Sequence, residues 1–360
     1  MYLKARVYAI IYNNRKIMTF SVKEDNLKHL GRFKNEPPCP AYIAGLIDGD
    51  GCIFIRKIKN GYQSGITITQ CRTNILQIIR YHFGGSITST TKRNDKTIDQ
   101  HDASGIFLHK FNRRNQFNLL LRSNEYKLLL DYIRFSIILK QPQLECLYEF
   151  YKFVDIKNVD EEKETLFNKC TELNKIKNMD DETNYTRMSI GYIQGLFDAE
   201  GCFYIDKNNS TNKFKISITQ KSYPKILEKI KDFLGFGNIS THKYVIYNKL
   251  DCLKFIALMK DGIIVKYNQL IAFETYLQTD NKELKIEMYK ICNEEKHKIE
   301  CFADINCNTN GKESFNETMR IRSLKEDICR EIKRKESYKD KSKKCLAKEI
   351  IITEKLNLLN

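Results

Sequence analysis

The stretch AYIAGLIDGDGCIFIRK (residues 41–57) returns as GYIQGLFDAEGCFYIDK (residues 191–207), at a constant shift of 150. The two share Tyr42/Tyr192, Gly45/Gly195, Leu46/Leu196, Asp48/Asp198, Gly51/Gly201 and Cys52/Cys202. Working outward, GITITQ (65–70) lies over KISITQ (215–220), and FGGSI (83–87) resembles GFGNI (235–239) after a small change of register. Farther on, KQPQL (140–144) matches KYNQL (266–270) at a shift of 126, so the first copy carries extra residues, assigned to the polar stretch Thr88–Ser104. The chain is therefore a tandem repeat. Two copies in one chain imply pseudo-twofold symmetry, which suits a duplex whose strands are themselves related by a twofold axis.

Each copy reads as helix, strand, strand, helix, a less distinct strand pair, then helices. Ile43, Leu46 and Ile47 recur at helical spacing. Gly51 and Gly201 stand where a helix end calls for a left-handed residue. Residues 66–69 and 214–219 alternate with period two, one face apolar and the other carrying hydroxyls and Lys. Gly45 with Gly49, and Gly195 with Ala199, are four apart. Each pair makes a smooth helix stripe that lets a second helix approach closely.

The paired motifs, IAGLIDGDG (43–51) and IQGLFDAEG (193–201), resemble the two signatures of the single-chain, two-motif LAGLIDADG homing endonucleases. The resemblance spans residues 40–150 and 188–285. It implies an α+β fold of two pseudo-symmetric αββαββα repeats with saddle-shaped antiparallel DNA-binding sheets. The domains expected are an N-terminal extension (1–39), repeat 1 (40–150), a linker with some helix (151–187), repeat 2 (188–285) and a Lys-rich C-terminal extension (286–360).

In that family the motif helices pack at the pseudo-twofold axis, which brings Asp50 and Glu200 together at the helix ends. A helix C-terminus is already partly negative, and two acids side by side there repel. A shared Mg²⁺ (or Mn²⁺) relieves that repulsion and supplies the chemistry of phosphodiester hydrolysis. The resemblance thus makes Asp50 and Glu200 the metal ligands, and gives Asp48 and Asp198 a structural role. Lys140 and Lys266 resemble the family's active-site lysines, and Gln70 and Gln220 its polar active-site position, so all six are candidate catalytic residues.

DNA would be read from the outward sheet faces. In repeat 1 these carry Phe54, Arg56 and Ile58, with Thr67 and Thr69 on the neighbouring strand. Repeat 2 offers Tyr204, Asp206, Lys215, Ser217 and Thr219. Arg and Lys donate to guanine edges or phosphates, and Asp accepts from cytosine N4. The unlike faces suit a non-palindromic target.

Bulk properties agree with this reading. Lys and Arg outnumber Asp and Glu by 61 to 45, a net charge of +16 that favours a polyanionic partner. Hydrophobic residues make up 42% of the 360, enough for a core. The 12 cysteines include no C-x-x-C pair, so they are expected to be reduced and buried as small side chains rather than to bind zinc. No apolar run is long enough to span a membrane. The first twenty residues hold basic and no acidic side chains and read as an extension rather than a transit peptide. Abundant Lys, Asn, Ile and Tyr without Trp point to an AT-rich genome, as in an organelle or a virus. The partner expected is double-stranded DNA, bound by a monomer. Two alternatives retain the fold: a maturase that binds intron RNA, and a DNA-binding regulator without catalysis. The retention of both Asp50 and Glu200 favours cleavage.

Overall fold

The computed structural model describes residues 29–90, 99–101, 107–110, 116–122, 124–154, 156, 159–176, 188–206 and 213–297. The basic N-terminal twenty residues and the Lys-rich segment 325–349 lie outside them. The described residues belong to one compact unit.

Repeat 1 opens with helix α1 (Pro40–Asp50), whose proline sits at the first turn, where no backbone N–H is needed. The hairpin β1 (Gly51–Ile58) and β2 (Gly61–Gln70) follows directly, then helix α2 (Thr73–Phe83) and strand β3 (Ser86–Thr90). A small hairpin, β4 (Asp99–His101) and β5 (Phe107–Lys110), comes next, and then β6 (Gln116–Arg122). Helices α3 (Asn124–Ile133) and α4 (Gln141–Lys152) close the repeat. Helix α5 (Asp160–Lys175) occupies the middle of the expected linker.

Repeat 2 runs through α6 (Ile190–Glu200), β7 (Gly201–Ile205), β8 (Phe214–Thr219), α7 (Lys225–Leu234), β9 (Asn238–Ser240) and β10 (Lys243–Ile246). It continues with α8 (Lys249–Met259), α9 (Tyr267–Gln278) and α10 (Lys282–His297), the last crossing the expected end of the repeat at 285. Ser189 caps α6 by accepting from Tyr192 N at 3.2 Å, and Asn248 caps α8 by accepting from Leu250 N at 2.8 Å.

Each repeat builds a four-stranded antiparallel sheet, in the orders β1-β2-β6-β3 and β7-β8-β10-β9. The α+β architecture of two like repeats is as expected. Most of the change of shift from 150 to 126 lies in residues 91–115, which join β3 to β6 where residues 241–242 join β9 to β10, so the extra residues begin and end later than the expected stretch Thr88–Ser104. The β4–β5 hairpin lies in that insertion.

Alternation fills the core from one face of each sheet. Ile53, Ile55, Ile66, Ile68, Leu119 and Leu121 are buried in repeat 1, as are Phe203, Ile205, Ile216, Ile218, Tyr244 and Ile246 in repeat 2. Phe197, Phe203, Phe255 and Phe273 form a chain of rings with centroids 4.9–5.2 Å apart. Helix α5 covers the free edge of β1: Asn174 Nδ2 donates to Ile53 O at 3.0 Å, and Cys170 is buried beside it. An edge strand so covered does not template another chain.

Two expectations need correction. Gly51 (φ −93°) and Gly201 (φ −81°) are extended, not left-handed. What demands glycine there is space, since a Cβ on Gly51 would come within 2.6 Å of Ile47 O as the chain turns straight from helix into strand. The cysteines are also not uniformly buried. Cys146, Cys170, Cys252 and Cys292 are, while Cys39 and Cys52 are exposed; all are free thiols.

Candidate active site

Helices α1 and α6 are hydrophobic on nearly every side and pack against each other. Tyr42, Ile43, Leu46 and Ile47 are at most 1% exposed, and so are Tyr192, Ile193, Leu196 and Phe197. Full burial of each Leu or Ile contributes about 1.5–3 kcal/mol. The approach is so close that a Cβ on Gly45 would overlap Tyr192 O, and one on Gly195 would overlap Tyr42 O. One turn on, a Cβ on Gly49 would collide with that of Ala199. The small-residue stripe read from the sequence is thus the helix–helix contact, and it carries the two helix ends to one place.

Asp48 and Asp198 do not face that place. Asp48 is buried, and its carboxylate accepts from Ile138 N (2.9 Å), Leu139 N (2.8 Å) and Lys140 N (2.9 Å). Asp198 accepts from Ile264 N (2.7 Å), Val265 N (2.9 Å) and Lys266 N (2.9 Å). Each also takes a phenol from the other repeat: Tyr42 Oη donates to Asp198 at 2.6 Å and Tyr192 Oη to Asp48 at 2.8 Å. Burial and the neighbouring Asp198 carboxylate push the Tyr42 phenol well above its usual range, so it is a neutral donor. Burial likewise raises Asp48, against the pull of Lys140 and its hydrogen bonds.

The lysines follow these loops. Lys140 precedes α4 and its ammonium donates to Ile47 O (2.7 Å) and Asp48 O (2.8 Å) in the last turn of α1, and to Gly51 O (2.7 Å) at the start of β1. Lys266 precedes α9 and donates to Asp198 O. A cation there answers the partial negative charge of each helix C-terminus. Burial lowers both lysines, while the acids around them pull the other way.

Asp50 and Glu200 end the helices. Burial raises both, the charge of Asp50 raises Glu200 further, and Lys266 and Lys140 oppose the rise in each case. Two half-buried carboxylates that repel each other, with lysines already committed to carbonyl oxygens, make a site short of positive charge. Among the described residues no cluster of three or more His, Cys, Asp or Glu side chains stands ready for a metal. Two carboxylates alone still fit a hard cation such as Mg²⁺, which keeps several waters and completes its shell with substrate phosphate.

The glutamines part company. Gln70 donates through Nε2 to Asp50 Oδ2, whereas Gln220 Oε1 accepts from Ser222 N at 3.1 Å. Arg72, absent from the sequence-based candidates, is 6% exposed and close enough to Lys266 to disfavour its charge. Its counterpart in repeat 2 is Ser222, so comparing the repeats gave no signal for it.

The strand registers define the outward faces. Phe54 pairs with Gly65, Arg56 with Gln63, Ile58 with Gly61 and Cys52 with Thr67, while Thr69 pairs with Asn118. Phe54, Arg56, Ile58, Thr67 and Thr69 therefore share one face. The same registers add Gln63, Ser86, Thr88, Asn118 and Arg122, which alternation alone did not assign. Gln63 Oε1 accepts from the Arg56 guanidinium, whose carbon lies 5.2 Å from the Phe54 ring centre, and Thr69 Oγ1 donates to Asn118 Oδ1 at 2.8 Å. In repeat 2, Tyr204, Lys215, Ser217 and Thr219 share the outward face with Lys243, and Lys215 stands 5.0 Å from the Tyr204 ring centre. Ser217 is only 8% exposed, and Asp206 lies beyond the end of β7, its N–H donating to Lys213 O at 2.8 Å.

Residues 193–293 match the family model described as LAGLIDADG endonuclease. No curated relative matches the sequence. Among solved structures, the chain is similar to the I-SmaMI K103A mutant, at 15% identity and a TM-score of 0.52, over 73% of this chain and 98% of that one. It is also similar to the LAGLIDADG homing endonuclease I-GzeII in complex with its DNA target, at 15% identity, a TM-score of 0.51 and coverages of 71% and 97%. A third is I-SmaMI bound to uncleaved DNA target in the presence of calcium ions, at 14% identity, a TM-score of 0.51 and coverages of 72% and 99%. At such identities the likeness is one of fold, and it covers nearly the whole of each of those proteins.

Proposed function

We propose that this LAGLIDADG protein, with the two-repeat fold of the single-chain enzymes, is a site-specific endonuclease that hydrolyses one phosphodiester in each strand of a long asymmetric DNA target. In doing so it promotes the homing of the intron or element that encodes it. The observation that carries the reading is the meeting of Asp50 and Glu200 at the ends of two helices in close contact, each leading directly into one of two sheets. Of the three similar structures above, I-GzeII is a LAGLIDADG homing endonuclease in complex with its DNA target, and I-SmaMI is seen bound to uncleaved DNA target in the presence of calcium ions.

In this reading Asp50 and Glu200 hold Mg²⁺ or Mn²⁺. Held there, such a cation would supply charge to neutralise phosphate and would lower the pKa of water at the scissile bond. Gln70 fixes the orientation of Asp50 through its amide. Lys140 and Lys266 neutralise the helix ends and add positive potential where phosphate arrives. The outward sheet faces grip the duplex, Arg56 and Lys215 giving donors to base edges or phosphates. Their side chains differ between the repeats, which matches an asymmetric target. Both carboxylates come from one chain, so a monomer suffices. No helix among the described residues is long and apolar enough to cross a membrane.

The test is cleavage of a randomised library of duplex sites, including intron-less alleles of the host gene, with and without Mg²⁺. Double-strand breaks at one long site, abolished by chelation, are expected. Tight DNA binding with no break at any site would favour the regulator, and selective binding of the host intron RNA the maturase.

A further inference from the structure

The loop that presents Lys266 is held from outside its own repeat. His29 lies in the helical turn that precedes the 3₁₀ turn Arg32–Lys34, in the segment read from sequence as an extension. Its ring stacks on Tyr267, with centroids 3.9 Å apart and planes 13° from parallel, and its Nε2 bonds Ile263 O. A carbonyl only accepts, so in the shorter of its two contacts Nε2 carries the proton, and the Arg32 guanidinium 3.4 Å away is then a neighbouring charge and not a donor to it. Burial and the nearby Arg32 lower this histidine to about 4, which keeps it neutral at physiological pH.

His29 therefore grips both ends of the stretch Ile263–Tyr267. Between those ends lie the three N–H groups that hold Asp198, and Lys266 itself. The segment is tied down elsewhere on repeat 1: His82 Nε2 donates to Phe33 O at 2.9 Å, and Tyr132 Oη to Pro38 O at 3.2 Å. Repeat 1 has no matching arrangement among the described residues. At the position of Tyr267 it has Gln141, which donates to Glu145.

We propose that His29 is a positioning residue for Lys266, acting through the 263–267 loop, so that the N-terminal segment governs the strand cut served by repeat 2 and leaves the other cut alone. The proposal rests on the endonuclease reading for its effect on cleavage, though not for its effect on the loop.

Two measurements test it. The first needs no DNA: amide hydrogen exchange of the full-length protein without metal. His29→Ala should speed exchange at Ile264, Val265 and Lys266 while Ile138, Leu139 and Lys140 keep their protection. The second follows each strand of a cleavable duplex with its own end label. His29→Ala and Lys266→Ala should slow the same strand, His29→Ala by roughly tenfold to 10²-fold, as a misplaced group does. Nicked product should accumulate, and His29→Gln, which keeps a donor for Ile263 O, should recover part of the rate. Unchanged exchange at 264–266, or equal slowing of both strands in a folded His29→Ala protein, would overturn the proposal. Should the parent protein cut no DNA at all, the endonuclease reading falls, and the exchange result alone decides whether His29 holds the loop.

Discussion

Tyr42 of repeat 1 donates a 2.6 Å hydrogen bond to Asp198 of repeat 2, and 156 residues of chain separate them. Asp198 in turn gathers three backbone N–H groups of the loop that carries Lys266. The inverse bond, from Tyr192 to Asp48, completes the pair. Each repeat therefore orders the active-site loop of the other through one phenol, and the helix pair is a polar lock as well as an apolar contact.

Tyr42→Phe should remove that lock without opening a cavity. A buried hydrogen bond to a charged group is worth about 1.5–3 kcal/mol. Urea unfolding should show a loss of that order, and a similar one for Tyr192→Phe. Asp198→Asn should cost more, because one amide oxygen cannot replace a carboxylate facing three N–H groups. The loss expected is about 3–5 kcal/mol, the range for breaking a buried charged network. A midpoint unchanged in all three variants would mean these bonds do not hold the repeats together.

Gly195→Ala tests the packing directly. The added methyl would overlap Tyr42 O, a backbone atom that cannot turn aside. Overpacking costs typically about 1–3 kcal/mol and more where backbone must move. A lower melting temperature is expected, together with loss of cleavage as the helix ends move apart. Gly31→Ala, where nothing lies within 4 Å of the added Cβ, is the control and should melt with the parent.

His29 also predicts an acid response. Its folded-state value of about 4 lies below the usual 6.5, so between those limits the unfolded chain holds a proton that the folded protein lacks. Stability should therefore fall as pH drops from 6.5 towards 4. His29→Gln cannot titrate and should show a shallower fall over that window in thermal melts. Parallel curves for the two proteins would mean that the imidazole titrates freely.

The repeat, the fold class and the meeting of Asp50 with Glu200 were legible because they depend on short-range pattern: a duplicated nine-residue motif, small residues four apart, strands of period two. What escaped depends on partners distant in sequence. Tyr42 reads as one more apolar helix residue until Asp198 is placed beside it. Gln63 and Asn118 join the outward face only once strand register is fixed, and a register shift of one residue would have put them inside. Arg72 and His29 have no counterpart in the other copy, so comparison of repeats was blind to both. Gly51 is extended because a helix running straight into a strand needs no left-handed residue.

The carboxylates at the helix ends give the last prediction. Burial raises both Asp50 and Glu200, and Asp50 raises Glu200 further. Over the pH window just above the ordinary carboxylate range, the folded metal-free protein keeps protons that the unfolded chain has released. Its stability should therefore decline as pH rises through that window. Asp50→Asn and Glu200→Gln remove the repelling charge, so each should melt above the parent near neutral pH in the absence of metal. The same substitutions remove a ligand for the cation, a loss of several kcal/mol of transition-state stabilisation, on the order of 10³-fold in rate. Supercoiled plasmid carrying the target should therefore stay intact, while gel-shift affinity is unchanged or tighter because a negative charge near phosphate has gone. In the parent, the acid limb of the cleavage profile should move to lower pH as Mg²⁺ is raised, since cation and proton compete for the same oxygens. A parent melting temperature that Mg²⁺ does not raise, together with parental cleavage by Asp50→Asn, would reduce these two acids to a structural role.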